Sequence, residues 1–373
     1  MLLNWFSLIF KLITAFIAII LLVILCALAY VSWAPIFGGS PDAKSLEKMT
    51  QSPNFDGEKF INLTPTVIAT PSDTSQTIWA TLFDLLSPPP DKNPRQPLPS
   101  QPLTKLDNGD YVWLGHSTVL FKQDDLTVIT DPIFYRASPV FFGGKPFAQK
   151  TPTTPNDLPK LDVVMISHDH YDHLDNQTIA AIDDKVTRYL VPLGIKGHLQ
   201  RWGVASSKIT ELDWYQSTQI EQVKFTLTPS RHFSGRGLTD RFATLWGSWV
   251  VQSSKQSIYF SGDGGYSEEF SKIGELFGPF DIAFLEDGAY NRDWSQIHMF
   301  PEQTVQAAVD LKASVVLPIH WAKYDLARHR WTEPIERTIV AAKERNVALA
   351  TPIIGQVFTL ERYPDSAWWR NMP

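Results

Sequence analysis

The sequence predicts an α/β chain: two β-sheets packed face to face with helices outside, preceded by one apolar helix long enough to cross a membrane. Three observations carry this. Two strand-rich blocks are each followed by helical stretches, and such segments bury their apolar faces by stacking in layers. Residues 12–33, LITAFIAIILLVILCALAYVSW, hold no charged side chain. A chain of 373 residues that is 44% hydrophobic and 19% charged has the material for a large core.

The apolar run comes first. About 20 helical residues cross a bilayer's hydrocarbon core. Trp5, Tyr30 and Trp33 stand near the ends of the run, where interfacial aromatics belong. Apolarity of this length argues against a buried soluble helix. A cleaved signal peptide is the rival, with Ala27-Leu28-Ala29 as a small-x-small site. Against it, the run is longer than a usual signal core and only Lys11 supplies charge ahead of it. Residues 1–34 are therefore expected to form an uncleaved single-pass membrane anchor. Lys11 favours a cytoplasmic N-terminus and places the main domain across the membrane, on the periplasmic or extracytoplasmic side. Cys26, the sole cysteine, lies inside the run. No intramolecular disulfide forms, and any metal site must use histidine and carboxylates.

Residues 35–102 are rich in Pro, Ser, Thr, Asp and Asn, with SPPPDKNPRQPLPSQP at 87–102 as the extreme. Proline at that density opposes helix and sheet, so an extended connector is expected, wrapped on the following domain, with a short helix at 78–86. The main domain is expected over 103–373. Its strands read as 111–122, 126–130, 162–167, 188–191, 224–228, 245–252, 257–261, 281–285 and 315–319. Its helices read as 176–182, 195–202, 268–277, 301–311 and 333–345, with Gly278-Pro279 closing one and Pro301 opening another.

ISHDHYDHLD, residues 166–175, follows the apolar run Val163-Val164-Met165-Ile166. A loop at a strand end can turn His168, His170, Asp172 and His173 toward one point, and imidazole with carboxylate is the zinc ligand set when thiolates are absent. His232, Asp263 and His320 also stand just after apolar strands. A single histidine in that position is usually a surface residue. Four segments with one placement point to a shared metal site. The net charge of −6 argues against a nucleic-acid partner.

These motifs resemble the metallo-β-lactamase fold superfamily, and within it the branch of N-acylphosphatidylethanolamine-hydrolysing phospholipase D. The stretches are WLGHST (113–118), TDPIF (130–134), SHDHYDHLD (167–175), VPLG (191–194), ELDW (211–214), TPSRH (228–232), LWGSW (245–249), Gly262-Asp263, FGPFD (277–281) and IHW (319–321), in that order. The histidine-rich motif is common to the superfamily; GHST, TDPIF, LWGSW and FGPFD are narrower. The resemblance implies an αββα sandwich of two mixed sheets with outer helices. It implies two zinc ions, the first held by His168, His170 and His232, the second by Asp172, His173 and His320, with Asp263 bridging. Iron or manganese suits such ligands as well. It implies a phosphodiesterase in which metal-bound hydroxide attacks phosphorus, Asp172 and Asp263 orient the nucleophile, and His298 lies near the substrate. N-Acylphosphatidylethanolamine would give phosphatidic acid and N-acylethanolamine.

Hydrolysis of a lactone or another phosphodiester at the same centre is the alternative, and a non-catalytic binding module the third reading. The partners implied are a phospholipid or other small molecule and the membrane. Oligomeric state stays open between monomer and homodimer. The chain departs from the resemblance at Glu286-Asp287, where uncharged residues are expected; two acids there would repel an anionic phosphate. His116 is balanced between support of the site and simple turn polarity. His198 is expected on a helix surface and His329 in solvent. Arg231, Arg236 and Arg241 could clamp a phosphate, although solvation is the commoner state of such residues.

Overall fold

A computed structural model of the protein describes residues 2–69, 91–140 and 143–372. The expected helix at 78–86 lies outside the described residues. Helix α1 (Leu2–Trp33) has Lys11 as its only charged residue, and its side chains from Trp5 to Leu28 are all exposed. At about 1.5 Å per residue it outreaches the ~30 Å hydrocarbon core of a bilayer. Its length and composition fit a membrane span or a signal sequence.

Among the described residues the strands make two seven-stranded sheets. The first contains β1 (Tyr111–Trp113), β2 (Val119–Gln123), β3 (Leu126–Thr130), β4 (Leu161–Met165), β5 (Val186–Pro192) and β6 (Ile209–Leu212). The second contains β7 (Ser217–Ile220), β8 (Val223–Thr228), β9 (Ser248–Gln252), β10 (Ser257–Phe260), β11 (Phe280–Glu286), β12 (Ala313–Ile319) and β13 (Ala348–Leu349). β14 (Val357–Phe358) returns to pair with β1 at the edge of the first sheet. Both sheets are mixed in the same way. β14-β1-β2-β3 and β7-β8-β9-β10 pair antiparallel. β3-β4-β5-β6 and β10-β11-β12-β13 pair parallel. Parallel steps require crossovers, and these carry α3 (Asn176–Ile182), α4 (Lys196–Arg201), α5 (Glu269–Leu276), α6 (Pro301–Asp310) and α7 (Glu333–Arg345).

Alternation along the strands builds three apolar layers. Val163 and Met165 face the core between the sheets, while Val164 and Ile166 face the outer cluster that holds Ile179 and Ile182 of α3. On β11, Ile282 and Phe284 point inward, and Ala283 and Leu285 meet Phe270 and Ile273 of α5. The fold is thus the predicted pair of face-to-face sheets with outer helices. Parallel strands all end at one edge, where ligands gather in such sheets.

Several elements differ from expectation. The strand expected at 111–122 is two strands, β1 and β2, joined by a turn in which Gly115 and His116 have positive φ; the strand-forming residues on both sides mask the break. The segment expected as an extended connector includes helix α2 (Ala43–Gln51), capped by Asp42, which accepts the Ser45 N–H at 2.8 Å. Its Ser45 hydroxyl donates to Glu211 at 2.6 Å, and Met49, Phe60 and Leu98 join the core between the sheets. Strands β6, β7, β13 and β14 were not expected; they are short edge or near-edge pieces, with little periodicity to read.

Candidate metal centre

Four strands deliver the candidate residues, β4 from the first sheet and β8, β10 and β12 from the second. β4 runs into residues 166–175, and Asp175 ends that loop by capping α3 through the Gln177 and Thr178 N–H groups. β8 leads to His232, β10 to Asp263 and β12 to His320. Gly262 turns the chain with φ +56°, and a Cβ there would lie 2.5 Å from Ser167 Cβ. Only glycine lets Asp263 approach the β4 loop so closely.

The seven residues singled out in the sequence come together as two groups with a carboxylate between them. His168, His170 and His232 form one: His170 Nδ1 lies 2.9 Å from His168 Nε2 and 3.3 Å from His232 Nε2. Asp172, His173 and His320 form the other: Asp172 Oδ2 lies 3.4 Å from His173 Nε2 and 3.3 Å from His320 Nε2. Asp263 Oδ2 is 3.1 Å from His173 Nε2, 3.0 Å from His320 Nε2 and 4.0 Å from His168 Nε2. His116 joins the second group, with Nε2 at 2.9 Å from Asp172 Oδ2. The structure therefore puts His116 against a candidate ligand instead of leaving it a bystander in a turn.

Outer hydrogen bonds aim the rings. His173 Nδ1 meets Asp131 Oδ2 at 2.7 Å, His232 Nδ1 meets the Ile297 carbonyl at 2.9 Å, and His168 Nδ1 meets Ser167 Oγ at 2.8 Å. Each bond leaves Nε2 for the centre, the arrangement metal-ligating histidines use. Asp131 was not singled out by its chemistry, although it too follows a strand, β3, and that shared placement is the signal that would have found it.

The charge pattern suits a cation. Burial, then the neighbouring imidazoles, holds His168 well below the usual histidine range; burial likewise depresses His170 and His232, the latter strongly. These are neutral rings, the form that binds metal. Burial opposes charge on His173 and His320, yet Asp263 and Asp172 overcome it, raising His173 well above its ordinary value and His320 to about 10. Despite their own burial, Asp172 and Asp263 are held well below the carboxylate range by these histidines. Among the described residues, buried Asp263 Oδ1 and His173 Nε2 have no hydrogen-bond partner. A buried and a half-buried acid, imidazole nitrogens at 3.0–3.4 Å without full hydrogen bonding, and unpartnered ligand atoms fit a two-cation donor set.

A cavity of about 380 Å³ opens over the centre. His170, Asp172, Asp263, His298 and His320 make its polar part; Ile68, Phe233, Trp294, Ile297 and Leu326 are among its apolar walls. The remaining expectations need correction. Glu286 and Asp287 are fully buried, and neither lines the cavity. Backbone N–H groups of Gly264 and Met299 bond Glu286, and the Thr338 hydroxyl meets Asp287, so neither acid faces the cavity as expected. His198 is buried, not on the surface; its Nδ1 accepts the Gly39 N–H at 3.0 Å and its Nε2 faces Asp169 at 3.3 Å. His329 is half-buried, stacked on Tyr290 at 4.5 Å. Arg236 is buried too, tying the Leu174 carbonyl to that of Ile36. Arg231 bonds Thr66 and Gln296, and Arg241 lies over Phe233. Sequence cannot show such burial for residues in polar runs.

Residues 127–321 match the family of beta-lactamase superfamily domains. An uncharacterized protein of Mycobacterium tuberculosis (strain ATCC 25618 / H37Rv) is 39% identical over 345 residues, covering 88% of this chain and 91% of that protein. N-acyl-phosphatidylethanolamine-hydrolyzing phospholipase D 1 of Caenorhabditis elegans is 34% identical over 264 residues, 66% of this chain and 74% of that protein. Among solved structures, the metallo hydrolase Igni18 of Ignicoccus hospitalis superposes with a TM-score of 0.52 at 21% identity, over 67% of this chain and 97% of that one, a likeness of fold.

Proposed function

The chain belongs to the beta-lactamase superfamily and is a metal-dependent hydrolase; from that premise we propose that it is a dinuclear zinc phosphodiesterase cleaving N-acylphosphatidylethanolamine-type phospholipids to phosphatidic acid and N-acylethanolamine. His168, His170 and His232 would hold one ion and Asp172, His173 and His320 the other, with Asp263 shared. The observation that carries the substrate class is the cavity: a floor of histidine and aspartate under walls of Ile68, Phe233, Trp294, Ile297 and Leu326. Such a site suits an amphiphile whose phosphodiester meets the floor while acyl chains follow the walls. The apolar helix α1, read as a single-pass anchor, supports a bilayer substrate.

When bound, two divalent cations supply Lewis acidity and a nucleophile from water at neutral pH. The chain's residues supply the rest. Asp172 and Asp263 orient the attacking water. His298, on the cavity wall, faces the departing head group. Phe233, Trp294 and Leu326 limit solvent entry, which strengthens electrostatic contacts inside. The test is substrate profiling of the detergent-solubilised, zinc-loaded protein against N-acylphosphatidylethanolamine, a soluble phosphodiester and a γ-lactone. Release of phosphatidic acid and N-acylethanolamine is expected. Lactone opening with the lipid untouched would overturn the reading.

A further inference from the structure

Glu286 is the last residue of β11 and is fully buried. Its backbone is pinned on both sides: its N–H donates to Ser261 Oγ at 3.0 Å, and its carbonyl accepts the Thr304 hydroxyl at 2.7 Å. Its side chain has three partners. Oε1 accepts the Met299 N–H at 2.7 Å, Oε2 accepts the Gly264 N–H at 3.1 Å, and Oε2 lies 3.2 Å from His298 Nδ1. Met299 follows His298 in sequence, and Gly264 follows Asp263. One carboxylate thus clamps the loop of a candidate bridging ligand to the loop of the candidate substrate-facing histidine. The clamp is sterically tight: a Cβ on Gly265 would lie 2.0 Å from the Gln296 carbonyl oxygen.

A carboxylate taking two N–H groups acts as an acceptor, so Nδ1 of His298 is the donor toward it. That fixes the tautomer and leaves Nε2 to the cavity that His298 lines.

We propose that Glu286 is the positioning residue of His298, locking its Nδ1–H tautomer and holding its Nε2 toward the scissile bond. For its substrate the proposal rests on the phosphodiesterase reading; for its geometry it does not. The oxygen of water bonds to phosphorus as the bond from phosphorus to the N-acylethanolamine oxygen breaks. The proton given up by water goes to solvent, while His298 Nε2 takes a proton from solvent and gives it to the departing oxygen, so His298 ends as it began.

The experiment is a double-mutant cycle of Glu286→Gln and His298→Ala. Kinetics are read on N-acylphosphatidylethanolamine and on bis(p-nitrophenyl) phosphate, with metal content measured for every variant. Glutamine presents an NH₂ group where an acceptor is needed, which favours the opposite tautomer. On the lipid, E286Q should lose about 10²-fold in kcat with little change in KM, the scale of a general acid–base contribution. On the aryl diester, whose leaving group needs no proton, the loss should stay below about 5-fold. In the H298A background the lipid loss should vanish, because the two residues act as one unit. Glu286→Asp, which keeps an acceptor, should recover part of the rate.

A second readout does not depend on turnover: [¹⁵N]histidine NMR of the zinc-loaded protein, with His298 identified by its absence in H298A. The wild type should show the Nδ1–H form and E286Q the Nε2–H form. Losses that multiply in the double variant, equal losses on both substrates, or an unchanged tautomer would overturn the proposal. If E286Q fails to fold, E286D takes its place in the cycle and the same outcomes decide. If the wild type hydrolyses neither diester, the phosphodiesterase reading fails, while the tautomer still decides the role of Glu286.

Discussion

Asp263 has imidazoles from both groups within 3.0–4.0 Å of one oxygen and a second oxygen left unpartnered. Replacing it with alanine removes the carboxylate the two groups share, so Asp263→Ala should lose metal and activity together; full zinc occupancy with normal turnover would contradict the ligand assignment. Asp287 illustrates the opposite use of an acid. Burial first, then the neighbouring Glu286, raises its pKa well above the carboxylate range. Below the ordinary carboxyl pKa both folded and unfolded chains hold the proton. As pH rises past it the unfolded chain ionises and the folded one does not, so stability falls with rising pH. Asp287→Asn should therefore gain stability over the wild type as pH rises from 5 to 8, measured by thermal unfolding at each pH. The candidate ligands were legible because histidine and aspartate recur after apolar strands. The fates of Glu286, Asp287, His198 and Arg236 were not, because their partners come from distant segments.

Helix α2 stands where the sequence predicts an extended connector. Its nine residues are mostly polar, and what holds it is tertiary: the Ser45 bond to Glu211, the Asp42–Lys196 ion pair at 2.8 Å and the burial of Met49. Met49→Ala should cost about 2–4 kcal/mol in chemical denaturation, the range for a large-to-small change in a packed core. For the same reason, a chain beginning at residue 103 should aggregate or unfold at lower denaturant than one beginning at residue 41, since it loses Met49, Phe60 and Leu98 from the core. The long strands and helices were legible from periodicity. The β1–β2 turn was hidden because its flanks read as one strand, and β13 and β14 are too short to show a period.

At the scale of the whole molecule, the sheets bring four strand ends to one edge, and the side chains of α1 are exposed from Trp5 to Leu28. Read as an anchor, α1 presents the cavity to lipid by keeping the domain at a bilayer. A chain lacking residues 1–34 should keep its zinc and its rate on a soluble diester, yet lose most turnover on lipid vesicles; equal vesicle activity with and without α1 would remove the anchor from the account. The two-sheet architecture was legible in the order of strand-rich and helical blocks, while the matching antiparallel and parallel halves of the two sheets needed the pairing itself. The central claim, attack of water at phosphorus, is tested most directly by hydrolysing N-acylphosphatidylethanolamine in ¹⁸O-labelled water and weighing the products. The account predicts ¹⁸O on the phosphate of phosphatidic acid and none in N-acylethanolamine. Label in the N-acylethanolamine hydroxyl, or no turnover by protein holding both metal ions, would contradict it.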